Sequence, residues 1–138
     1  MRFALVVSAL SFAACTDASP CGKCPAMEGT YRVIWAAPES RCAVGATRMA
    51  DLVFTRAGSN LQSTVAEQQL AGTLFDTYDF TLSGGVEVAY FLKGRLVLVG
   101  STDAGSPAVH LVGSLRSSVR ADGGTFCDTD EQFTADKI

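Results

Sequence analysis

Five cysteines, one histidine and a short acidic run are the residues of this 138-residue chain whose types could do chemistry. Cys21-Gly22-Lys23-Cys24 has the C-x-x-C spacing of dithiol redox centres. That chemistry draws on a helix N-terminus to activate the attacking thiol. Only residues 25–28 separate Cys24 from the glycine and the strand pattern that follow, so no such helix fits and the pair reads as a local structural bridge. A four-cysteine zinc site would have to draw both ends of the fold together in an oxidising compartment, so no metal is assigned. His110 falls on the polar side of an alternating stretch, with Ser114 and Arg116, and reads as a solvated surface residue. With one histidine, a Ser-His-Asp mechanism would rest on that residue alone, and the chain has no Gly-x-Ser-x-Gly elbow, P-loop or HExxH motif. Asp128, Asp130 and Glu131 lack the glycine and remaining ligands of a calcium loop and read as a solvated acidic end. Asp76 shares parity with Leu74, Tyr78 and Phe80, so either it points into the interior or a turn near Phe75 breaks the register; the break is preferred. No catalytic residue and no cofactor is assigned.

The segments that position these residues differ sharply along the chain. Residues 1–14, MRFALVVSALSFAA, begin with Arg2 and run apolar to Ala14, interrupted only by Ser8 and Ser11. A membrane-spanning helix needs about 20 apolar residues. A charged start, a shorter apolar run and small residues at its end form a secretory signal instead. Phe12-Ala13-Ala14-Cys15 resembles the lipobox of bacterial lipoproteins, with Phe12 where that family most often has leucine. The resemblance implies that residues 1–14 are removed and that Cys15 carries the lipid. Buried acyl chains contribute about 0.8 kcal/mol per methylene, so two or three hold a protein stably on a bilayer. Thr16, not aspartate, follows the cysteine, which in that family favours the outer membrane. Residues 15–28 carry Pro20, Gly22 and Pro25 without apolar periodicity and read as the lipidated tether.

From residue 29 to 138 the pattern is that of one strand-rich domain. Tyr31, Val33 and Trp35 alternate with Arg32 and Ile34, and Leu61, Ser63 and Val65 alternate with Gln62 and Thr64. The same period of two recurs at Tyr78–Leu82, Val86–Leu92 and Val109–Val119. Period two repeated this often marks half-buried strands. Arg95–Ser101 is nearly all apolar, a pattern that allows burial on both sides. Turns are expected at Ala57–Asn60, Ser83–Gly85, Lys93–Gly94 and Asp122–Gly124, each with a glycine able to take positive φ. Residues 37–50 and 65–73 are ambiguous, the second able to hold one helical turn. Hydrophobic residues at 48% exclude disorder, and a net charge of −3 gives nucleic acid no basic surface.

About eight antiparallel strands joined by short links either close into a barrel or fold as a β-sandwich, and closure removes the aggregation-prone edges. Gly29-Thr30-Tyr31 resembles the Gly-x-aromatic start of calycin, or lipocalin-like, barrels. The expectation is therefore an all-β antiparallel meander closed as a small calycin-like barrel. In such a meander the last strand returns beside the first, which brings Cys127 to the end of the first strand, near Cys42. Cys21 and Cys24 precede that strand at the opposite end, roughly 20 Å away at about 3.3 Å per residue, so the expected pairs are Cys42–Cys127 and Cys21–Cys24. Closing so long a loop contributes about 4–5 kcal/mol in the chain-entropy account.

The expected function is a lipid-anchored, non-catalytic binding module of the envelope, taking a small apolar ligand or an envelope partner. Trp35, Tyr78 and Tyr90 supply the candidate binding surface. The alternative is a structural or inhibitor-like interaction lipoprotein with a solid core. Substituting Cys15→Ser is expected to leave an unanchored or unprocessed precursor. Acyl labelling and membrane extraction of the variant check this, and wild-type behaviour in both would refute the lipidation site.

Overall fold

The computed structural model describes residues 18–36, 39–40, 49–101, 107–120 and 123–138. The described chain is all β: β1 (Gly29–Trp35), β2 (Glu39–Ser40), β3 (Asp51–Ala57), β4 (Asn60–Val65), β5 (Gln68–Leu74), β6 (Asp79–Gly84), β7 (Val88–Ser101), β8 (Pro107–Arg120) and β9 (Phe126–Lys137). From β3 to β9 each strand pairs antiparallel with the next, and β1 pairs with both β3 and β9. The two-residue β2 lies on β9 just beyond β1, so β1 and β2 form one stave in two pieces. Eight antiparallel staves thus close into a barrel, and the sandwich alternative falls.

Closure of a small barrel requires stagger. Following register partners once around, Gly29 leads through Phe54, Ser63, Leu70, Gly84, Tyr90, Ser117 and Thr129 to Ser40, further along the starting stave. At 3.3 Å per residue and 4.8 Å between strands, an offset of that size tilts the staves by about 40° from the barrel axis, within the usual range.

The alternation read in the sequence becomes inside and outside. Tyr31, Leu52, Phe54, Leu61, Leu70, Phe80, Leu82, Leu92, Leu111 and Leu115 are fully buried in one cluster. Tyr31 meets Phe54 edge-on with centroids 5.6 Å apart, and Phe54 meets Phe80 the same way at 5.6 Å. Arg32, Thr55, Gln62, Thr64, Gln69, Lys93 and Arg116 face solvent between them. This is the reverse of a membrane-spanning barrel, whose outer band is apolar.

Three expectations are corrected. Lys93–Gly94 is not a turn: β7 runs unbroken through it, with Gly94 directly opposite Gly113 on β8. A Cβ at Gly94 would lie 2.6 Å from both the Phe80 ring and Val112 O, and one at Gly113 would lie 2.9 Å from the Phe133 ring and closer still to Lys93 O. The glycines are there to admit those rings and to let the strands bend, the device that closes small barrels. The ambiguous stretch 65–73 holds β5, entered through a two-residue turn in which Ala66 and Glu67 both have positive φ. The merging of two expected strands and the gain of β5 leave the count of eight unchanged. Finally, Arg95–Ser101 is not buried on both sides, since Leu98 and Val99 are exposed.

Residues 18–28 are no free spacer. The Cys21 amide donates to Leu74 O at 2.8 Å, Arg56 donates to Cys21 O at 2.9 Å, and Pro20 forms a bridge with Phe75. Cys21 and Met27 are buried in the core, and the Tyr31 hydroxyl donates to Met27 O at 2.7 Å. Burial, seconded by the Glu28 charge, pushes the Tyr31 hydroxyl's pKa well above the usual phenol range. This segment stoppers one end of the barrel, called here the plugged pole. Cys21 and Cys24 are bridged within it, with Cα atoms 5.7 Å apart.

Cys42 lies outside the described residues; Cys127 is disulfide-bonded. Glu39 pairs with Asp130 and Ser40 with Thr129, so β2 lies beside the start of β9, where Cys127 stands. Non-reducing peptide mapping is expected to recover a Cys42–Cys127 peptide; Cys127 linked elsewhere would refute the pairing. Gly94→Ala is expected to destabilise the fold by about 1–3 kcal/mol through overpacking against Phe80. Gly22→Ala, where nothing lies within 4 Å of the new Cβ, should change stability by no more than about 0.5 kcal/mol. Denaturant midpoints of the two variants check both figures.

Candidate functional site

The wall formed by β6 to β9 carries a groove on the outer surface. It lies open over Gly94 and Gly113 and has a volume of about 440 Å³. Its sides are Asp79 and Thr81 from β6, Lys93 and Arg95 from β7, Val112 and Ser114 from β8, and Gln132 from β9. These are outward positions of four neighbouring strands, brought level by the register Asp79↔Arg95↔Val112 and Thr81↔Lys93↔Ser114↔Gln132.

One end of the groove is fixed by an ion pair. Arg95 Nε donates to Asp79 Oδ1 at 2.7 Å and a second guanidinium nitrogen donates to Asp79 Oδ2 at 3.1 Å. The Thr77 hydroxyl donates to the same carboxylate at 3.0 Å. The Arg95 hydrogen bond holds the Asp79 carboxyl below its ordinary range, and Asp79 in turn raises Arg95. An ionised, doubly bonded carboxylate is a poor proton carrier near neutrality. The pair therefore shapes and charges the groove.

His110 is outward-facing, as the alternation implies, but it is not simply solvated. Its Nδ1 lies 2.6 Å from Asp136 Oδ1 across the β8–β9 register. Ser114 is four residues along the same strand, about 13 Å away at the strand rise, out of hydrogen-bond reach of the imidazole. The acidic end is corrected as well: Asp130 pairs with Arg116 at 3.3 Å, while Glu131 is only 2% exposed. Alternation along β9 sends Thr129, Glu131, Phe133 and Ala135 inward and Asp128 and Asp130 outward, so the three acids never share a face. Among the described residues no cluster of three potential metal ligands forms.

The three aromatic residues singled out from the sequence do not converge. Trp35 is half-buried, packs on Phe133 with centroids 5.3 Å apart, and donates its indole N–H to Met49 O at 2.7 Å. Tyr90 is buried and lines a second pocket, of about 410 Å³, with Ala66, Gln68, Val86, Glu87 and Val88 at the pole opposite the plug. Tyr78 sits at the plugged pole, with φ 67° in the turn between β5 and β6. That turn is the expected register break: Leu74 ends β5, Asp76 is exposed, and inward parity resumes at Phe80. Tyr78 thus loses the parity that grouped it with Phe80.

The groove itself escaped the sequence reading. Its signal was present in the opposite charges of Asp79 and Arg95, but a turn at Lys93–Gly94 would have separated them. No family model, no characterised protein and no solved structure matches this chain.

Because the folded-state carboxyl of Asp79 titrates below its unfolded value, the stability it contributes is present above the ordinary aspartate range and is lost as pH falls through the folded value. The pair is solvent-exposed, so Asp79→Asn is expected to cost less than about 1 kcal/mol at neutral pH. The difference from wild type should vanish in acid, as read from denaturation midpoints between about pH 7 and 2.

Proposed function

We propose that this chain is a lipid-anchored protein of a bacterial envelope, held by Cys15, whose barrel is a non-catalytic module that binds a protein partner on its outer wall. The observation that carries this reading is the filled barrel. Tyr31, Phe54, Phe80, Leu82, Leu92, Leu111 and Leu115 occupy the inside with almost no exposure. Small barrels either enclose a ligand or are filled by side chains, and this packing favours surface recognition over carriage of an apolar molecule. The groove over Gly94 and Gly113 suits recognition, offering a partly exposed Val112 between Lys93 and the Asp79–Arg95 pair. An apolar centre with a polar, charged rim is the usual anatomy of a non-obligate interface. The His110–Asp136 pair, out of reach of Ser114, supports a non-catalytic role. The lipobox-like Phe12–Cys15 carries the anchoring half of the proposal.

The experiment has two arms. Titration with an environment-sensitive apolar dye is expected to show no saturable binding; one-to-one binding would return the reading to a ligand carrier. A photo-crosslinking residue in place of Val112, in the native envelope, is expected to trap one discrete protein. The same residue in place of Thr64, on the far wall, should not trap it. Equal products from both positions would refute the groove as the recognition surface.

A further inference from the structure

β7 and β8 outrun their neighbours at the plugged pole. The last pairing of β7 with β6 is Asp79↔Arg95, followed by one hydrogen bond from the Leu96 amide to Tyr78 O at 2.9 Å. The last register pair of β8 with β9 is His110↔Asp136. Beyond these limits the two strands continue alone as a ribbon, pairing Leu98 with Val109 and Val99 with Ala108, then shifting register at Gly100, φ 56°. The ribbon is apolar on both faces. Val99, 55% exposed, points outward, and Leu98, 39% exposed, lies on the inward parity past the end of the core. Ile34, Val53, Val86, Phe91 and Phe126 are other exposed apolar side chains of the barrel; what sets Leu98 and Val99 apart is their place at the plugged pole, which Tyr78 and Ile138 share.

The ribbon's position relative to the chain's entry identifies what covers it. Ser19 O accepts from the Asp76 amide at 2.9 Å, and Pro20 bridges to Phe75. The chain therefore reaches the barrel beside the β5–β6 turn, the turn that carries exposed Tyr78 and supports the start of the arm. Three residues, Thr16 to Ala18, separate Cys15 from Ser19, four steps that span at most about 14 Å when fully extended. A diacylated cysteine on so short a leash brings the bilayer surface against this pole and no other. Trp35 lies toward the far end of β1, roughly 20 Å along the strand from Gly29.

We propose that the β7–β8 arm, with Leu98 and Val99, and the adjoining Tyr78 rest in the membrane interface, so that the barrel stands on the bilayer by its plugged pole. The inference rests on the lipid anchor at Cys15. Tyrosine suits the role, since its ring partitions to the headgroup level while its hydroxyl stays wet. The occupant is a lipid surface of any headgroup charge, because the pole mixes Lys23, Arg56 and Lys137 with Glu28 and Asp76 and presents no one-sign patch. In this stance the outer-wall groove, which runs up β6 to β9, remains open to the aqueous side.

The test uses the full-length chain expressed with its own leader, purified, and reconstituted into phosphatidylcholine vesicles with and without bromines high on the acyl chains. Wild type and V99W are compared, each also as C15S. Val99 is exposed, so V99W keeps the fold, which circular dichroism verifies. Flotation of wild type and V99W, but not of the C15S forms, reads the anchor independently of the arm. The emission added by V99W is expected to be blue-shifted and quenched roughly twofold or more by brominated lipid, as interfacial indoles are, while wild-type emission from Trp35 is unchanged. Flotation without quenching leaves the anchor standing and overturns the arm's membrane contact. Blue-shifted but unquenched emission, with a doubled particle size in detergent, assigns the arm to a second copy of the chain and also overturns it. Failure of wild type to float refutes the anchor, and the membrane stance falls with it.

Discussion

When β1 pairs with β9 the meander loses both of its edges, and every inward side chain is committed to one enclosed volume. That closure sets the terms for the rest of the molecule. The inside must be filled to crystal-like density, and Tyr31, Phe54 and Phe80 do so edge to face. Bringing large rings into a narrow barrel leaves no room for side chains beneath them. Gly94 and Gly113 answer that demand on adjacent strands. The same two glycines line the groove on the outer wall, so one pair of positions serves the packing of the inside and the shape of the outside.

Closure also leaves two poles to be managed, and the chain treats them differently. At one, the segment from Ser19 to Met27 folds back and buries Cys21 and Met27 against the core, tied by the Tyr31 hydroxyl and by Arg56. The Cys21–Cys24 bridge stiffens that stopper, in keeping with its reading as structural. The opposite pole carries the Tyr90 pocket between two hairpins. The groove, the pocket and the arm occupy separate regions, which allows a stance on a membrane and contact with a partner at the same time.

Much of the wall was legible residue by residue. Alternation at Tyr31–Trp35 and Leu61–Val65 marked strand and facing together, because successive side chains of a strand point to opposite sides. The turns at Gly58 and Gly85 were legible because positive φ is cheap only for glycine, and both carry it. The turn at Ala66–Glu67 was hidden for the converse reason, since neither residue advertises the φ it adopts. Gly94 misled because a glycine after a lysine reads as a turn, whereas its purpose is the Phe80 ring across the sheet. The candidate site was less legible than the fold. Asp79 and Arg95 are sixteen residues apart and meet only through strand register.

By itself the sequence determined the all-β class, the facing of regularly alternating stretches such as Tyr31–Trp35 and Leu61–Val65, and the local Cys21–Cys24 bridge, since each depends on neighbours a few positions away. Only the tertiary structure decided that Tyr31, Phe54 and Phe80 pack together in the described interior, that Glu131 lies inside while Asp130 pairs outside, that residues 18–28 plug the barrel and that β7 and β8 run past their neighbours. The physical reason is that these depend on register carried around a closed sheet. A shift of one residue at any pairing would exchange every inward and outward side chain beyond it, and no local pattern records where the circuit closes.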